Sequence, residues 1–304
     1  MAGPACRSRN PFNMLRNAAR VRLARQPPSD ASGGGTLRGV QTTSLSWPRD
    51  IEHRPARSSG AGRLAAPARR IVSLLPSATE IVCTLGLSDR LLAVSHECDF
   101  PPEAVAGLPR MTTDRIPPMT RRSSEIDAAV RAALVAGHGL YALDEPLLVQ
   151  LAPDLVLTQE LCQVCAVSYP MVLQAARAAG GAGAPLVVSL EPHSLADVLA
   201  TIELVAALAG VEARAEKVTA ALRVRLAVLE PPARRPEVAL VEWLDPLFAP
   251  GHWVPEQIER AGGESVIGVS GERSRESSWE ALAAADPDVV VLGLCGFDLA
   301  ANPQ

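Results

Sequence analysis

The stretch SLADVLATIELVAALAGVEARAEKVTAALRVRLAVL, residues 194–229, predicts two consecutive helices around which the rest of the chain is arranged. Ser194 and Asp197 have the spacing of a capping box, in which each side chain accepts a backbone N–H of the first turn. The apolar residues that follow recur at helical spacing and are Leu195, Val198, Leu199, Ile202 and Val205. The first helix therefore begins after Ser194.

The second helix of this stretch follows Gly210, which ends the first. It begins near Glu212 and is stopped by Pro231 and Pro232. Its apolar stripe consists of Val218, Leu222, Leu226 and Leu229. At about 1.5 Å per residue this helix is roughly 27 Å long, enough to join two lobes without merging them. A joining helix predicts a cleft between the lobes.

Composition limits the class of protein. The chain has 304 residues, 48% of them apolar, which is enough for one large core or two small ones. Its net charge of −4 conceals a basic first part, because residues 1–69 carry twelve Arg against Asp30, Asp50 and Glu52. The remainder is acidic, so nucleic acid is not an expected partner. No apolar run reaches the roughly 18 residues of a membrane span.

Residues 1–69 are rich in Arg, Ser, Pro and Gly and lack any apolar period, so we expect a disordered extension there. The first 28 residues contain six Arg and no acid, which is typical of an organellar transit peptide. Upstream sequence added by a misassigned start codon fits the same composition. No apolar segment of a secretory signal is present, so the sequence leaves the compartment open.

Residues 70–190 predict an N-terminal lobe in which strand alternates with helix. The predicted strands are residues 71–75, 91–94, 154–158 and 185–189. Ser77 and Glu80 predict a capping box that opens a helix through Leu85. A second helix opens at Ser124 and carries Val130, Leu134 and Val135 on one side. This alternation predicts a parallel, Rossmann-like sheet.

A helical linker over residues 191–232 leads to a second α/β lobe over residues 233–304. It has predicted strands at residues 238–242 and 288–292 and predicted helices at residues 255–261 and 278–285. A parallel sheet with only these strands leaves an edge open. We therefore expect the second lobe to be incomplete at its C-terminus.

Four segments, residues 70–87, 95–101, 157–168 and 251–297, resemble the cobalamin-binding branch of the periplasmic-binding-protein superfamily, the helical-backbone solute receptors of ABC importers. The resemblance implies a bilobed α/β receptor that holds its ligand between the lobes, performs no catalysis and needs no catalytic cofactor. It also implies cobalamin or a related corrinoid as ligand, an ABC permease as partner, and a periplasmic or cell-surface location. We expect a monomer. Other superfamily members bind siderophores, haem or metal ions, which keeps a metal or metal-chelate receptor as the alternative.

The predicted ligand-binding residues follow strands, because the crevice of an open α/β sheet lies beyond the carboxyl ends of its strands. A corrinoid needs broad apolar walls with a few hydrogen-bonding groups. The predicted set is Pro76, Ser77, His96, Glu97, Cys98, Tyr141, Gln159, Cys162, Trp243, Phe248, Trp253, Cys295 and Phe297. Plainer interpretations stand beside this one: Trp243 and Phe248 as core residues, and Ser77 as a helix cap.

The cysteines support a rival hypothesis. Zinc bound by residues of strand-end loops would use His96, Cys98, Cys162 and Cys165, the last two spaced as CxxC. The same cysteines are also explained by packing or by a redox pair. A further hypothesis is that His96 is an axial ligand of the corrinoid cobalt. A redox or metal enzyme built on the cysteines is the alternative from another class, although no GxSxG, phosphate-loop or GxGxxG motif opens any helix.

Two acidic residues match the positions at which receptors of this superfamily meet basic pockets of their permease. The resemblance places one at Glu280 and the other in Asp144-Glu145, where we favour Glu145, each at the start of an outer helix. The plainer interpretation is that acids are favoured at helix N-termini by the helix dipole.

Overall fold

A computed structural model of the chain describes residues 19–21, 56–58, 64, 66–115, 122–135, 139–160, 167–180, 184–227, 229 and 232–295. In chain order the strands are β1 (Ala19–Val21), β2 (Ala56–Ser58), β3 (Ile71–Ser73), β4 (Leu91–Val94), β5 (Thr112–Asp114), β6 (Tyr141–Leu143), β7 (Leu155–Thr158), β8 (Leu186–Leu190), β9 (Glu237–Val241), β10 (Trp243–Leu244), β11 (Leu247–Ala249), β12 (Glu264–Ser265), β13 (Arg275–Glu276) and β14 (Val289–Leu292). The helices are α1 (Pro76–Thr84), α2 (Pro102–Val105), α3 (Ser123–Val135), α4 (Glu145–Leu151), α5 (Tyr169–Gly180), α6 (Leu195–Ala209), α7 (Glu212–Ala227), α8 (Val254–Arg260) and α9 (Trp279–Ala284).

The first lobe is the part built on a five-stranded sheet of order β2-β8-β7-β3-β4. Strands β8, β7, β3 and β4 are parallel, with Ile71 opposite Leu155 and Leu155 opposite Leu186. The first residues of β3 and β7 are fully buried because helices cover both faces of the sheet. The predicted parallel sheet is confirmed.

The second lobe is the part built on a sheet of order β1-β14-β9-β12, in which β14, β9 and β12 are parallel. Its core includes Ala239, Val241 and Leu247. A separate antiparallel sheet, β10-β11-β13, extends from the end of β9. The predicted α/β character is confirmed, and the antiparallel sheet is a feature that the sequence did not predict.

Helix α6 begins as predicted, because Ser194 accepts from the N–H of Asp197 and the Asp197 carboxylate accepts from the N–H of Ser194. Gly210 ends it in the left-handed region at φ 68°. Helix α7 ends at Ala227, so Leu229 lies beyond it and is 48% exposed. Both helices pack on the core of the first lobe, α6 through Val205 and α7 through Ala215.

Two local predictions for the first lobe are wrong. Ser77 caps nothing, because Pro76 occupies the first helical position and Leu75 is the N-cap residue. Val135, predicted on the apolar side of α3, is 90% exposed at the last residue of that helix. Residues 112–114 and 141–143, for which the sequence indicated no strand, form the antiparallel pair β5–β6.

Strands β1 and β2 lie inside the Arg-rich extension, for which we expected no structure. Strand β1 pairs antiparallel with β14, and β2 pairs antiparallel with β8. Without β1 and β2, strands β14 and β8 would be edge strands with unpaired backbone N–H and C=O groups. Any extended segment can pair with such groups, whether or not its sequence is apolar. The rest of residues 1–63 lies outside the described residues. Among the helices that are described, none is long and apolar enough to cross a membrane.

Candidate functional site

Hydrogen bonds and ring contacts connect the two lobes where loops follow the carboxyl ends of strands. His193, after β8, donates from Nδ1 to the carbonyl oxygen of Gly271 at 3.0 Å, and its ring lies 5.7 Å from that of His252, after β11. Glu256 of α8 accepts the N–H of Leu195 at 2.8 Å. A carboxylate of the second lobe therefore binds the first turn of α6, where the helix dipole favours negative charge.

His252 is held neutral at this junction. Its backbone is in the left-handed region at φ 52°, and its buried Nε2 has no hydrogen-bond partner among the described residues. Burial, then the charges of His193 and Arg273, lower the pKa of His252 to about 4. The ring of Trp253 lies 6.0 Å away, so an aromatic surface adjoins the two histidines.

A second set of interlobe contacts involves α3. The Trp243 indole N–H donates to the carbonyl oxygen of Ser123 at 3.3 Å, and to that of Asp245 at 3.2 Å. Arg131 forms an ion pair with Glu276 of β13 at 2.8 Å and another with Asp127 of its own helix at 2.6 Å. Trp243 is half-buried where the antiparallel sheet of the second lobe meets the first lobe.

A cluster of His96, Glu97 and Asp114 lies at the carboxyl end of β4. The Nε2 atom of His96 is 3.0 Å from Oδ1 of Asp114 and 3.3 Å from Oε1 of Glu97. The Nδ1 atom is 2.7 Å from the hydroxyl of Thr112, and the His96 ring lies 5.3 Å from that of Tyr141. Burial lowers the pKa of His96, but the hydrogen bonds and charges of Glu97 and Asp114 outweigh it and leave the pKa raised.

Cys98 does not belong to the site, contrary to its prediction as a ligand-binding and metal-binding residue. It is fully buried in the core of the first lobe, and its sulfur lies 3.0 Å from the Thr79 hydroxyl and 3.2 Å from that of Ser95. Burial raises the pKa of the Cys98 thiol. A strand-end position therefore does not by itself put a side chain in the interlobe space.

The remaining predicted residues are half-buried or exposed, or they lie outside the described residues. Pro76 and Ser77 are half-buried in the first turn of α1, and Gln159 is half-buried after β7. Phe248 is half-buried on β11 opposite Trp243, and Cys295 is exposed after β14. The predictions for Cys162, Cys165 and Phe297 lie outside the described residues.

Sequence reasoning missed several residues that the structure brings to these contacts: Thr112, Asp114, Arg131, Glu256 and Glu276. Asp114 lies on a strand of three residues, which is too short for an apolar period. Arg131 and Glu276 form an ion pair although they are 145 positions apart in the sequence. None of these residues lies in a local pattern that would have marked it, since Thr112, Thr113 and Asp114 are three consecutive polar residues without alternation.

The fold and these junctions can be compared with known proteins. Over residues 71–302 the sequence matches the periplasmic binding protein family. The chain belongs to this family. The family consists of solute-binding receptors, so the predicted absence of catalysis is confirmed and the alternative of a cysteine-dependent enzyme is wrong.

Individual periplasmic binding proteins give a finer comparison. The vitamin B12-binding protein of Vibrio cholerae serotype O1 is 56% identical over 39 residues, 13% of this chain and 14% of that protein, so the matched segment spans a small part of this relative. The periplasmic haem-binding protein RhuT of Roseiflexus sp. RS-1 has a TM-score of 0.53 at 25% identity, covering 73% of this chain and 75% of that one. The periplasmic vitamin B12 binding protein BtuF of Vibrio cholerae has a TM-score of 0.50 at 22% identity, covering 74% and 76%, a likeness of fold.

Glu145 and Glu280 are both exposed in the first turn of a helix. Glu145 directly follows the N-cap residue Asp144 of α4, and Glu280 lies two residues after the N-cap residue Ser278 of α9. Hydrogen bonds from its own backbone N–H and from Ser278 lower the pKa of Glu280. The structure thus presents an ionised carboxylate on the surface of the second lobe.

Proposed function

We propose that this periplasmic binding protein captures cobalamin or a related corrinoid between its lobes and delivers it to an ABC importer. The observation that carries the proposal is the pair of half-buried indoles, Trp243 and Trp253, at the interlobe contacts of the second lobe. A corrinoid is broad and largely apolar, and indole rings supply wide apolar walls. The short stretch shared with vitamin B12-binding proteins supports the same ligand.

The proposed binding surface combines both lobes. In the second lobe Phe248 lies beside Trp243 on the antiparallel sheet and adds apolar area. In the first lobe, half-buried polar groups adjoin the strand ends and would meet the side-chain amides of a corrinoid. The residues proposed for contact are Pro76, Ser77, His96, Glu97, Tyr141, Gln159, Trp243, Phe248, Trp253 and Cys295 of the described chain, together with Cys162 and Phe297.

The test is a calorimetric titration of the full chain with cyanocobalamin, followed in parallel by the corrin absorption bands. We expect one saturable site. Trp253→Ala and Trp243→Ala should each weaken binding at least about tenfold, the equivalent of 1.4 kcal/mol. Trp279→Ala is the control for structural loss, because this indole is 49% exposed on the outer helix α9 but also donates a hydrogen bond to β10, at the carbonyl oxygen of Leu244.

Each outcome has a definite meaning. Equal losses in all three tryptophan variants would reflect a general loss of structure, which far-ultraviolet circular dichroism would reveal. Normal binding by Trp243→Ala and Trp253→Ala would remove the aromatic-wall argument. A folded wild-type chain that does not bind cyanocobalamin would overturn the corrinoid proposal.

Haem, or another metal chelate, is the second candidate. The observation that favours it is the His96–Tyr141 pair, since imidazole and phenolate are both axial ligands of haem iron. Titration with haemin should then give a shifted Soret band that Tyr141→Phe alters. An unchanged haemin spectrum would exclude this candidate while leaving the cobalamin titration unaffected.

We propose that Glu145 and Glu280 contact the permease, one from each lobe. Charge reversal to Lys at both positions should abolish corrinoid uptake by a reconstituted importer while leaving cyanocobalamin affinity unchanged. Glu212→Lys is the control, because Glu212 is also an exposed acid in the first turn of a helix. Uptake by the double variant at the wild-type rate would contradict the docking role.

A further inference from the structure

The His96, Glu97 and Asp114 cluster has the geometry of a cation site. One ligand atom from each residue lies within 4.8 Å of the other two. The two distances from His96 Nε2, 3.0 Å to Asp114 and 3.3 Å to Glu97, are close to the edge of a tetrahedron with bonds of about 2.0–2.1 Å, roughly 3.3–3.4 Å. Small side-chain shifts would therefore place all three atoms around one ion.

The His96 ring is oriented for this role by a contact on its other nitrogen. The Thr112 hydroxyl lies 2.7 Å from Nδ1 and also accepts the backbone N–H of His96 at 3.1 Å. Thr112 is 2% exposed on β5, so its position is fixed by the strand. A metal-binding histidine commonly uses its second nitrogen in such a hydrogen bond, which fixes the ring and leaves Nε2 as the ligand.

We propose that His96, Glu97 and Asp114 bind a divalent first-row transition-metal ion. One imidazole nitrogen and two carboxylate oxygens suit Mn²⁺, Co²⁺ or Zn²⁺, whereas Mg²⁺ and Ca²⁺ prefer oxygen ligands alone. Two carboxylates balance the charge of the ion. The side chain of Asp114 is 35% exposed, which gives the ion a path from solvent, while that of Glu97 is only 12% exposed. The site uses none of the cysteines.

The test is a titration of the metal-free full chain with Co²⁺ in the absence of any corrinoid, followed by visible absorption. We expect one saturable ion with d–d bands and no thiolate-to-cobalt charge-transfer band. Competition by Zn²⁺ should remove these bands. Asp114→Asn and Glu97→Gln should each weaken Co²⁺ binding at least tenfold, because each removes a direct ligand.

The matched control is Asp99→Asn, which removes the same charge from the same loop at an exposed position outside the cluster. It should bind Co²⁺ like the wild type. If the wild type shows no saturable Co²⁺ binding, the proposal is overturned. The close contacts of His96 with Glu97 and Asp114 would then be hydrogen bonds through a proton on Nε2. A strong charge-transfer band, or equal binding by Asp114→Asn, would also overturn it. Because no corrinoid is present, none of these outcomes depends on the proposed function.

Discussion

Gly210 shows how a single residue fixes the turn between α6 and α7. Its φ of 68° lies in the left-handed region, and a Cβ built there would lie 2.8 Å from Cγ of Pro67. The same contact holds the segment before β3 against the helix pair, where Ala68 donates its N–H to the carbonyl oxygen of Leu208. Glycine is therefore required by conformation and by space.

Gly210→Ala should lower the free energy of unfolding by about 1–2 kcal/mol from the left-handed backbone alone, with a further loss from the Pro67 contact. Gly107→Ala is the control, since Gly107 is exposed and nothing lies within 4 Å of its added Cβ. Its unfolding free energy should stay within about 0.5 kcal/mol of the wild type. Urea denaturation of both variants measures the difference, and equal stabilities would contradict the argument.

Residue chemistry also shows where prediction from sequence ends. Cys98 and His96 stand two positions apart after the same strand, and both were predicted to bind ligand. The structure places the Cys98 thiol under the sheet with Thr79, while His96 points to Asp114 on β5. The direction of a loop side chain depends on contacts distant in sequence, which neither residue type nor spacing encodes.

Among the elements, α6 was the most predictable. Its capping box and apolar spacing are local patterns, and both appear in the structure with the predicted residues. The parallel strands of the first lobe were predictable for a similar reason, since continuous apolar runs indicate burial on both faces. The short antiparallel strands β5, β6, β10, β11 and β13 were missed because two or three residues show no period, and their pairing is decided by partners elsewhere in the chain.

The cap of α6 is the element-scale test. Asp197 is 5% exposed, and its Oδ2 accepts the N–H groups of His193 and Ser194, both at 3.0 Å. Asp197→Ala should cost about 1–2 kcal/mol of unfolding free energy, because buried donors at the helix start lose their partner. Ser278→Ala removes the exposed cap of the six-residue helix α9 and should cost less. A smaller loss for Asp197→Ala than for Ser278→Ala would refute this ranking.

At the scale of the whole molecule, the contacts between the lobes described above are mostly polar. The Arg131–Glu276 pair is solvent-exposed on both sides, and such pairs contribute roughly 0–1 kcal/mol. The Glu256 contact with the first turn of α6 is partly buried, whereas the His193–Gly271 hydrogen bond is exposed. Contacts of this kind are weak, so they would not oppose the separation of the lobes that the proposed capture and release of a ligand requires.

His252 makes this junction sensitive to pH. His252 faces His193 and the charge of Arg273, and its backbone is tied to Gly271 and Glu272 by main-chain hydrogen bonds. In the unfolded chain His252 takes up a proton near its ordinary pKa of 6.5, whereas in the structure it does so only near 4. Between these values the unfolded chain binds more protons, so stability rises with pH across this window.

The contribution of a neutral His252 is therefore complete above about pH 6.5, is lost progressively as the pH falls toward 4, and changes little below that. His252→Gln, which cannot be protonated, should remove this part of the pH dependence, and the difference in unfolding free energy between variant and wild type should vary only within that window. Denaturant unfolding at a series of pH values measures it. If the difference in unfolding free energy between variant and wild type stays constant from pH 7 to pH 4, His252 is not held neutral by the junction. Any weakening of the interlobe contact in acid would then have to come from the polar contacts of His193 and Glu256.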